Sequence, residues 1–276
     1  MTIPLEFTGE RMVPESADAQ TYWEHVFRYA FACKSIANLD VLDIASGEGY
    51  GTYALSKVAK SAVGVDISAE AIEHARLKYN IDYRLGSAET IPVDRCSIDA
   101  VISFETIEHV PQPEKFIHEV FRVLRPGGTL IISTPNKDMY LKGQSPNPFH
   151  CSELTKTQFL NLLNPFFERV AVWGQIFRLC PLDDLQRFIG RLSNRLAFYL
   201  RRRLEKALRD RFIPDSVVTD AAKRLAVIES IPTYSPPLSG LWNPYAIRKL
   251  DDSILNQPTY FVAVARRRKE RLQLVS

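Results

Sequence analysis

The amino-acid sequence predicts an α/β fold in which helices cover both faces of a doubly wound parallel sheet. Between residues 40 and 135, short runs rich in β-branched residues alternate with helical stretches, as expected for parallel strands joined by helical crossovers. The length of 276 residues suits one such domain that carries an insertion. Apolar and charged fractions of 46% and 24% are typical of globular proteins, and they disfavour a disordered, collagen-like or disulfide-scaffold chain.

The predicted elements follow one another in a regular order. Five strands are predicted in the central segment, at residues 41–45, 62–66, 81–85, 99–104 and 129–133. Three helices lie between them, at residues 50–59, 69–79 and 113–124. An earlier helix of mixed aromatic and apolar character, at residues 22–37, is placed where it could cover the ligand crevice. The later elements are a helix that Pro165 ends and two strands, at residues 155–163, 168–177 and 259–265.

Three parts are expected along the chain. Residues 1–39 form an N-terminal cap segment and helix, residues 40–177 and 256–268 form the sheet domain, and residues 178–255 form a helical insertion that ends in a proline-rich loop.

The insertion opens with a basic amphipathic helix. Its apolar residues recur at steps of three or four, at Leu185, Ile189, Leu192, Leu196 and Leu200, with arginines on the other side at Arg187, Arg191, Arg195 and Arg202. The apolar face is expected to pack on the domain or on a second subunit, which would give a homodimer. The alternative is peripheral attachment to an anionic membrane surface or a lipid-linked glycan.

Net charge, the N-terminus and cysteine usage bear on the partners and the location of the protein. The formal charge of +3 would disfavour a polyanionic partner if it were evenly spread, but residues 178–211 carry +6, residues 266–271 carry +4, and the remainder carries −7. No export signal is visible at the N-terminus, so a cytoplasmic location is expected. Because no C-x-x-C pair occurs, buried thiols are expected at the four cysteines, Cys33, Cys96, Cys151 and Cys180.

A glycine-rich turn after the first predicted strand indicates a ligand that approaches the backbone. Gly47 and Gly49 permit that approach, and the following helix points its N–H groups at the ligand. Dinucleotide enzymes use a similar turn, but the third glycine of their G-x-G-x-x-G pattern would fall at Thr52. Asp43 would also repel a pyrophosphate and attract a cation. S-adenosylmethionine (SAM) carries a sulfonium and an ammonium group, so the charge of Asp43 favours SAM over NAD.

Two further loops lie at the same edge of the predicted sheet. Asp66, with Ile67 after it, ends the second strand, where a carboxylate can accept both ribose hydroxyls of an adenosine cofactor. The third strand is followed by Ser87, Ala88 and Glu89, which could contact the adenine or simply form a surface turn.

With these loops, the sequence resembles the class I SAM-dependent methyltransferases over roughly residues 40–177. The motifs that match are the glycine-rich turn, Asp66, the Ser87 loop, residues 103–109 after the fourth strand and residues 123–128 before the fifth. The resemblance implies a Rossmann-like sheet of seven strands with an antiparallel last strand, and it adds Phe104 and Glu105 to the cofactor site. The family usually has glycine at the position of Ala45, whose methyl group should narrow the pocket without closing it.

The flanking segments are similar to a narrower bacterial group that often accompanies surface-polysaccharide and glycan genes. The matching residues are 7–11, Glu24 with His25, Arg28 with Tyr29, 133–136, 147–150 and 153–155. This similarity implies O-methylation of a hydroxyl on a sugar or glycan intermediate.

Two histidines are candidates for the general base that such a hydroxyl needs. Methyl transfer is an in-line displacement for which no metal is required, and histidine is the usual base near neutral pH. His109 follows the fourth strand and His150 lies in the loop after the fifth, although either could be structural. Glu105 and Glu108 could orient a base or be solvated, and for Glu108 solvation is expected.

Residues near the N-terminus are further candidates. His25 and Tyr29 lie four apart on one helix face, where core packing is expected and contact with the methionine end of SAM is the alternative. Arg11 could pair with a carboxylate of the cofactor or acceptor, or lie on the surface.

Other functions are weighed against the same residues. Nucleic acid is a disfavoured substrate, since residues 103–106 lack the Pro-Pro-aromatic element of amine methylation and no Pro-Cys dipeptide offers a nucleophile for C5 methylation. The alternatives that remain are methylation of nitrogen or carbon in another small metabolite, and a SAM-binding regulator without turnover.

Overall fold

The fold is described from a computed structural model of the chain. It covers residues 12–14, 17, 19–140, 147–175, 226, 228–229, 231, 247–250 and 258–269. The helices are α1 (Ala19–Cys33), α2 (Tyr50–Ser56), α3 (Ala69–Lys78), α4 (Pro113–Val123), α5 (Lys137–Tyr140) and α6 (Lys156–Leu163). The strands are β1 (Asp40–Ile44), β2 (Ser61–Asp66), β3 (Asp82–Leu85), β4 (Ile98–Ser103), β5 (Leu124–Pro135), β6 (Phe167–Gln175), β7 (Ile247–Lys249) and β8 (Tyr260–Arg267). A 3-10 turn spans Ile107–His109.

All eight described strands join one mixed sheet in the order β3-β2-β1-β4-β5-β8-β6-β7. Strands β1 to β5 pair in parallel, whereas β8 runs antiparallel between β5 and β6. The predicted doubly wound sheet and its antiparallel last strand are therefore confirmed. The strand order reverses between β1 and β4, and in open α/β sheets ligands bind beside the carboxyl ends of the strands at such a point.

The eighth strand was not predicted. The three residues of β7 pair with the end of β6, Gln175 opposite Ile247, and they fall within the stretch assigned to the insertion. A strand of three residues is too short to show alternation in the sequence, and its position depends on the exposed edge of β6.

Side chains alternate between the two faces of the sheet, and each face has its own apolar core. One core joins β1, β4 and β5 to α1, α2 and α3, and includes Val41, Ile102 and Ile131. The other joins the same strands to α4 and α6, and includes Leu42 and Phe116. Strands buried on both faces explain the apolar character that predicted the fold.

Helix boundaries follow from local chemistry. Pro113 begins α4, where its missing N–H has no cost. Thr155 and Gln158 form a reciprocal capping box at the start of α6. Helix α1 ends at Cys33, four residues before the predicted end, and Asn38 with φ 61° turns the chain into β1.

Some predictions fall on residues that the structure does not describe. These are Arg11, Cys180 and the amphipathic helix of the insertion. Two other residues of the insertion, Ile228 and Ile231, are buried in the core that contains α1. Cys33 is buried as expected, but Cys151 is exposed, because it lies in the loop after β5 rather than in an element that packs on the sheet. Within the described helices, none has the length and apolar character needed to cross a membrane.

Candidate active site at the carboxyl edge of the sheet

The glycine-rich turn after β1 is built from left-handed backbone. Ala45, Gly47 and Gly49 have φ values of 59°, 52° and 83°, a region that glycine enters at little cost. A Cβ at Gly49 would lie 2.7 Å from atoms of Ala75 and Tyr83, whereas one at Gly47 would meet nothing within 4 Å. Protein packing thus explains the glycine at 49, and the space beside Gly47 is open to a ligand.

Asp43 lies at the base of this turn and is 1% exposed. The Thr52 hydroxyl donates to its Oδ2 at 2.7 Å, and the Tyr29 hydroxyl lies 3.4 Å from both carboxylate oxygens. Burial raises the pKa of Asp43 to about 7, with a smaller contribution from the charge of Asp66. Thr52, which replaces the third glycine of the dinucleotide pattern, therefore holds the carboxyl group that disfavours a pyrophosphate.

Asp66 connects the turn to the end of β2. Its two carboxylate oxygens accept the backbone N–H groups of Gly47 at 2.8 Å and Ser68 at 2.9 Å. A carboxylate offers about four lone-pair positions, so each oxygen can still accept a ligand hydroxyl. Ile67 is 77% exposed and Leu85 is 55% exposed at the ends of β2 and β3. Exposed aliphatic side chains beside a carboxylate are suited to covering the flat base of a nucleoside.

The loop after β3 is held by its own side chains. The Glu89 N–H donates to Ser87 Oγ at 3.1 Å, and Glu89 Oε1 accepts the Gln112 N–H at 2.9 Å. Ala88 packs partly buried against the core under α4. These contacts leave the two interpretations of the loop, adenine contact or surface turn, as predictions.

Tyr29 packs in the core and also lies against the turn. Its ring meets Phe104 edge-on at 5.1 Å and Tyr50 at 5.6 Å. A Cβ at Gly51 would lie 2.0 Å from Tyr29 Cζ, so this glycine makes room for the ring. His25 is half-buried, with Nδ1 2.8 Å from the Tyr50 hydroxyl, and desolvation of the ring lowers its pKa well below the usual value. The core-packing interpretation therefore describes His25, while Tyr29 also reaches Asp43.

A buried arginine that the sequence prediction did not assign joins α1 to the site. Arg28 is 1% exposed, and its Nη1 lies 3.4 Å from Glu105 Oε1 and donates to Gln175 Oε1 at 3.0 Å. Glu105 has φ 52°, and its Oε1 accepts the Ser133 hydroxyl at 2.6 Å. The sequence showed one arginine inside an apolar, aromatic helix, in a segment that matches the narrower bacterial group, but it did not show the partners of Arg28, which come from distant strands.

Glu108 was expected to be solvated, and this is wrong, since the residue is fully buried. The 3-10 turn directs its side chain inward, where the Thr134 hydroxyl donates to Oε2 at 3.3 Å. The backbone N–H groups of Cys151 and Ser152 donate to the Glu108 carbonyl at 2.7 and 3.1 Å, which closes the loop over it. Burial, followed by the charge of Glu105, raises the pKa of Glu108 well above its usual value.

The two predicted histidines come together although 41 positions separate them in the sequence. The rings of His109 and His150 lie 4.9 Å apart at an interplanar angle of 84°. The structure places one side-chain atom of each within 4.8 Å of a carboxylate oxygen of Glu108. These atoms are close enough for one ion or one proton to be shared among them, and the prediction that no metal is needed stays a prediction.

Comparison with known proteins agrees with this geometry. The family described as "Methyltransferase domain" matches residues 42–132. A probable S-adenosylmethionine-dependent methyltransferase of Mycolicibacterium smegmatis is 37% identical over 164 residues, which is 58% of this chain and 63% of that protein. A ubiquinone biosynthesis O-methyltransferase of Xanthomonas oryzae pv. oryzae is 33% identical over 115 residues, 40% of this chain and 48% of that protein.

A solved structure gives the same result for the fold. A SAM-dependent methyltransferase of Thermotoga maritima, described as a possible histamine N-methyltransferase, superposes with a TM-score of 0.56 over 90% of this chain and 94% of that chain. At 17% identity this similarity shows the fold alone. The chain has the Rossmann-like fold of these enzymes, and it spans under two thirds of the length of the curated relatives it matches.

Proposed function

We propose that the chain is a class I SAM-dependent methyltransferase that acts on a hydroxyl oxygen of a sugar or glycan intermediate. The observation that carries the cofactor is the pair of carboxyl groups, Asp43 and Asp66, on either side of a turn with open space beside Gly47. Asp43 there disfavours a pyrophosphate and suits a cofactor with a cationic end, and Asp66 can accept the ribose hydroxyls of an adenosine.

The residues of the edge divide among three tasks. Gly47, Asp66 and Ile67 would hold the nucleoside on the side of β2, with Ser87, Ala88 and Glu89 beside them. Ala45, Asp43, Tyr29, Phe104 and Glu105 would surround the amino-acid end. SAM supplies an electrophilic methyl group on a sulfonium, and the protein positions the acceptor oxygen in line with it. His109 and His150, after β4 and β5, would face the acceptor.

Oxygen is the proposed acceptor atom for two reasons. A sugar hydroxyl does not release its proton near neutral pH, and the histidine pair can take that proton. The flanking segments resemble a group associated with glycan genes, and the Xanthomonas relative is named an O-methyltransferase. Methylation of nitrogen or carbon in a small metabolite, and SAM binding without turnover, are the competing functions.

Ligand-induced thermal stabilisation tests the cofactor. SAM and S-adenosylhomocysteine should each raise the melting temperature, while NAD should not, because a ligand stabilises only the fold that binds it. Stabilisation by NAD alone would contradict the proposal. Incubation with SAM and candidate nucleotide sugars or glycans, followed by assay of S-adenosylhomocysteine, then separates an enzyme from a regulator that binds SAM without releasing that product.

Asp66→Ala tests the ribose contact. Loss of two hydrogen bonds to a charged acceptor should weaken SAM binding at least tenfold in calorimetric titration. Asp82→Ala is the matched control, because it removes an equally charged side chain that is half exposed on β3. Equal SAM affinities in the two variants would show that Asp66 does not hold the ribose.

A further inference from the structure

We propose that His150, rather than His109, takes the proton of the acceptor hydroxyl, and that Glu153 is the positioning residue that holds His150 for this task. The inference rests on the proposed function and deepens it, because it assigns roles within the cluster at the acceptor side. It is drawn from the different partners of the two rings.

Hydrogen bonds fix the same tautomer in both rings. His109 Nδ1 lies 3.0 Å from the Phe149 carbonyl oxygen, which can only accept, so this nitrogen carries the proton. His150 Nδ1 lies 3.0 Å from Glu153 Oε1, and it likewise donates to the carboxylate. Each ring therefore presents the lone pair of Nε2, the atom that would receive a proton.

Asn147 supports this assignment for His150. Its Oδ1 accepts the Phe149 N–H at 3.0 Å, which fixes the orientation of the amide. The Nδ2 group therefore faces His150 Nε2, at 3.2 Å, as a donor to a lone pair. An acceptor hydroxyl that donates to Nε2 would take the place of this amide.

The two rings differ in how well they can carry a positive charge. Nδ1 of His109 lies against a neutral carbonyl, whereas Nδ1 of His150 lies against a carboxylate, which stabilises an imidazolium. The side chains of His150 and Glu153 are 7% and 8% exposed, so solvent screens their attraction little. Oε2 of Glu153 has no hydrogen-bond partner within the described ranges, so no other donor there neutralises the carboxylate.

His150 is in direct contact with the carboxylate of Glu153, at 3.0 Å. Glu108 and His109 face it from the 3-10 turn, and Cys151 and Glu153 lie on its own segment. Burial raises the pKa of Glu108 well above its usual value and so favours the neutral acid.

In the proposed step the acceptor O–H bond breaks as its proton moves to His150 Nε2. The oxygen gains the methyl group while the sulfonium becomes a thioether, and the imidazolium then returns its proton to water.

Kinetics and chemical rescue test the assignment with an acceptor that the product assay identifies. His150→Ala should lower kcat at least 100-fold and recover in part when imidazole is added. Under the same conditions His109→Ala should lose less than tenfold, with no recovery. His118→Ala, which removes an exposed histidine of α4, is the control. Rescue of His109→Ala instead, or a rate that requires an added divalent cation and is lost with EDTA, would overturn the assignment.

Glu153→Gln tests the positioning role. The substitution preserves the shape of the side chain but removes its charge, and the new amide can reverse the preferred tautomer of His150. We therefore expect kcat to fall at least tenfold while KM stays within about twofold of the wild-type value. Glu114→Gln, at an exposed position of α4, is the matched control. An unchanged kcat in Glu153→Gln would overturn the proposal.

Nitrogen-15 NMR of the histidine rings provides a readout that needs no acceptor. The wild-type protein should show His150 protonated at Nδ1, and Glu153→Gln should shift this tautomer balance while the signals of His118 stay in place. A wild-type His150 protonated at Nε2 would contradict the inference. If no acceptor yields product but the tautomer is as expected, the proposed function fails while the Glu153–His150 geometry stands.

Discussion

The backbone at Ala45 is left-handed, with φ 59°. The class I SAM-dependent methyltransferases, which the sequence resembles, usually have glycine at this position. A non-glycine residue in this conformation costs about 1–2 kcal/mol. Its side chain is exposed, so it gains no packing that would offset the cost. The sequence comparison already suggested a narrower pocket, and the structure adds that the turn itself is strained.

Ala45→Gly should therefore stabilise the protein. Glycine relieves the backbone strain but also gives the unfolded chain more conformational freedom, which offsets part of the gain. The net increase in the free energy of unfolding should be about 0.5–1 kcal/mol, or a few degrees in melting temperature. Gly49→Ala is the matched opposite, because φ 83° and contacts of 2.7 Å to Ala75 and Tyr83 should make it lose at least about 2 kcal/mol. Urea unfolding of both variants measures the contrast, and a loss of stability in Ala45→Gly would contradict it.

Asp43 predicts a pH dependence of stability. Burial raises its pKa to about 7 in the folded protein, against about 3.9 for an unfolded chain. Between these two pKa values Asp43 is ionised in the unfolded chain but still protonated in the folded protein. The free energy of unfolding should therefore fall as pH rises from about 4 to 7, and above pH 7 Asp43 should cause no further change. Each pKa unit is worth about 1.4 kcal/mol, which sets an upper bound near 4 kcal/mol.

Asp43→Asn isolates this contribution, because Glu24 and Glu108 also have raised pKa values and titrate in the same direction. The variant should gain stability relative to wild type as pH increases from 5 to 8, measured by urea unfolding at each pH. A stability difference between the two proteins that does not depend on pH would show that Asp43 ionises normally.

At the scale of elements, a buried cation helps to attach α1 to the sheet. Arg28 links the helix to Glu105 after β4 and to Gln175 at the end of β6. Removing one member of a buried ion pair leaves the other charge uncompensated, at a cost of about 3–5 kcal/mol. Glu105 is 16% exposed, so water can relieve part of that cost.

Arg28→Met should accordingly destabilise the protein by about 2–4 kcal/mol in urea unfolding. The double variant Arg28→Met with Glu105→Gln should recover part of the loss, because the remaining partner is then neutral. Additive losses in the two single variants would show that the pair is not coupled.

The central elements could be predicted because each carries its own signal. Strands β1, β2, β4 and β5 are apolar on both faces, and α4 and α6 begin at a proline and a capping box. The strand β5 begins at Leu124 rather than residue 129, since residues around two glycines extend the pairing with β4. The start of β5 and the whole of β7 depend on pairing with neighbouring strands. For this reason neither shows a local pattern in the sequence.

The same division holds for the site. The positions of Asp43, Asp66 and His109 at the carboxyl edge of the sheet could be predicted from motifs that follow strands, and that of His150 from the loop after β5. Thr52, Arg28 and Glu153 could not, because their roles arise from pairs that form only in the folded chain, as between Arg28 and Gln175, 147 residues apart. The burial of Glu108 depends likewise on the loop that closes over it.

At the scale of the whole molecule, charge is divided between an acidic body and two basic segments, residues 178–211 with +6 and 266–271 with +4. Strand β8 runs antiparallel to β5, so its basic end at Arg266 pairs with Thr129 and lies at the edge opposite the candidate site. Arg169 of β6 pairs with Arg266 and is likewise exposed. An anionic surface that bound this edge would leave the candidate site accessible.

Flotation with liposomes tests the alternative to packing of the insertion, in which the basic segments attach the protein to anionic membrane surfaces. Protein should float with vesicles that contain anionic lipid, remain behind with neutral vesicles, and be released as salt is raised, because each basic residue contributes about 1 kcal/mol near such a surface. Substituting glutamate at Arg187, Arg191 and Arg195 should abolish flotation. The control substitutes glutamate at Lys34, Arg95 and Lys115, three exposed positions outside the basic segments, with the same change in net charge. If the wild-type protein does not float and light scattering shows a dimer, the result would favour packing of the predicted apolar face of the insertion against a second subunit.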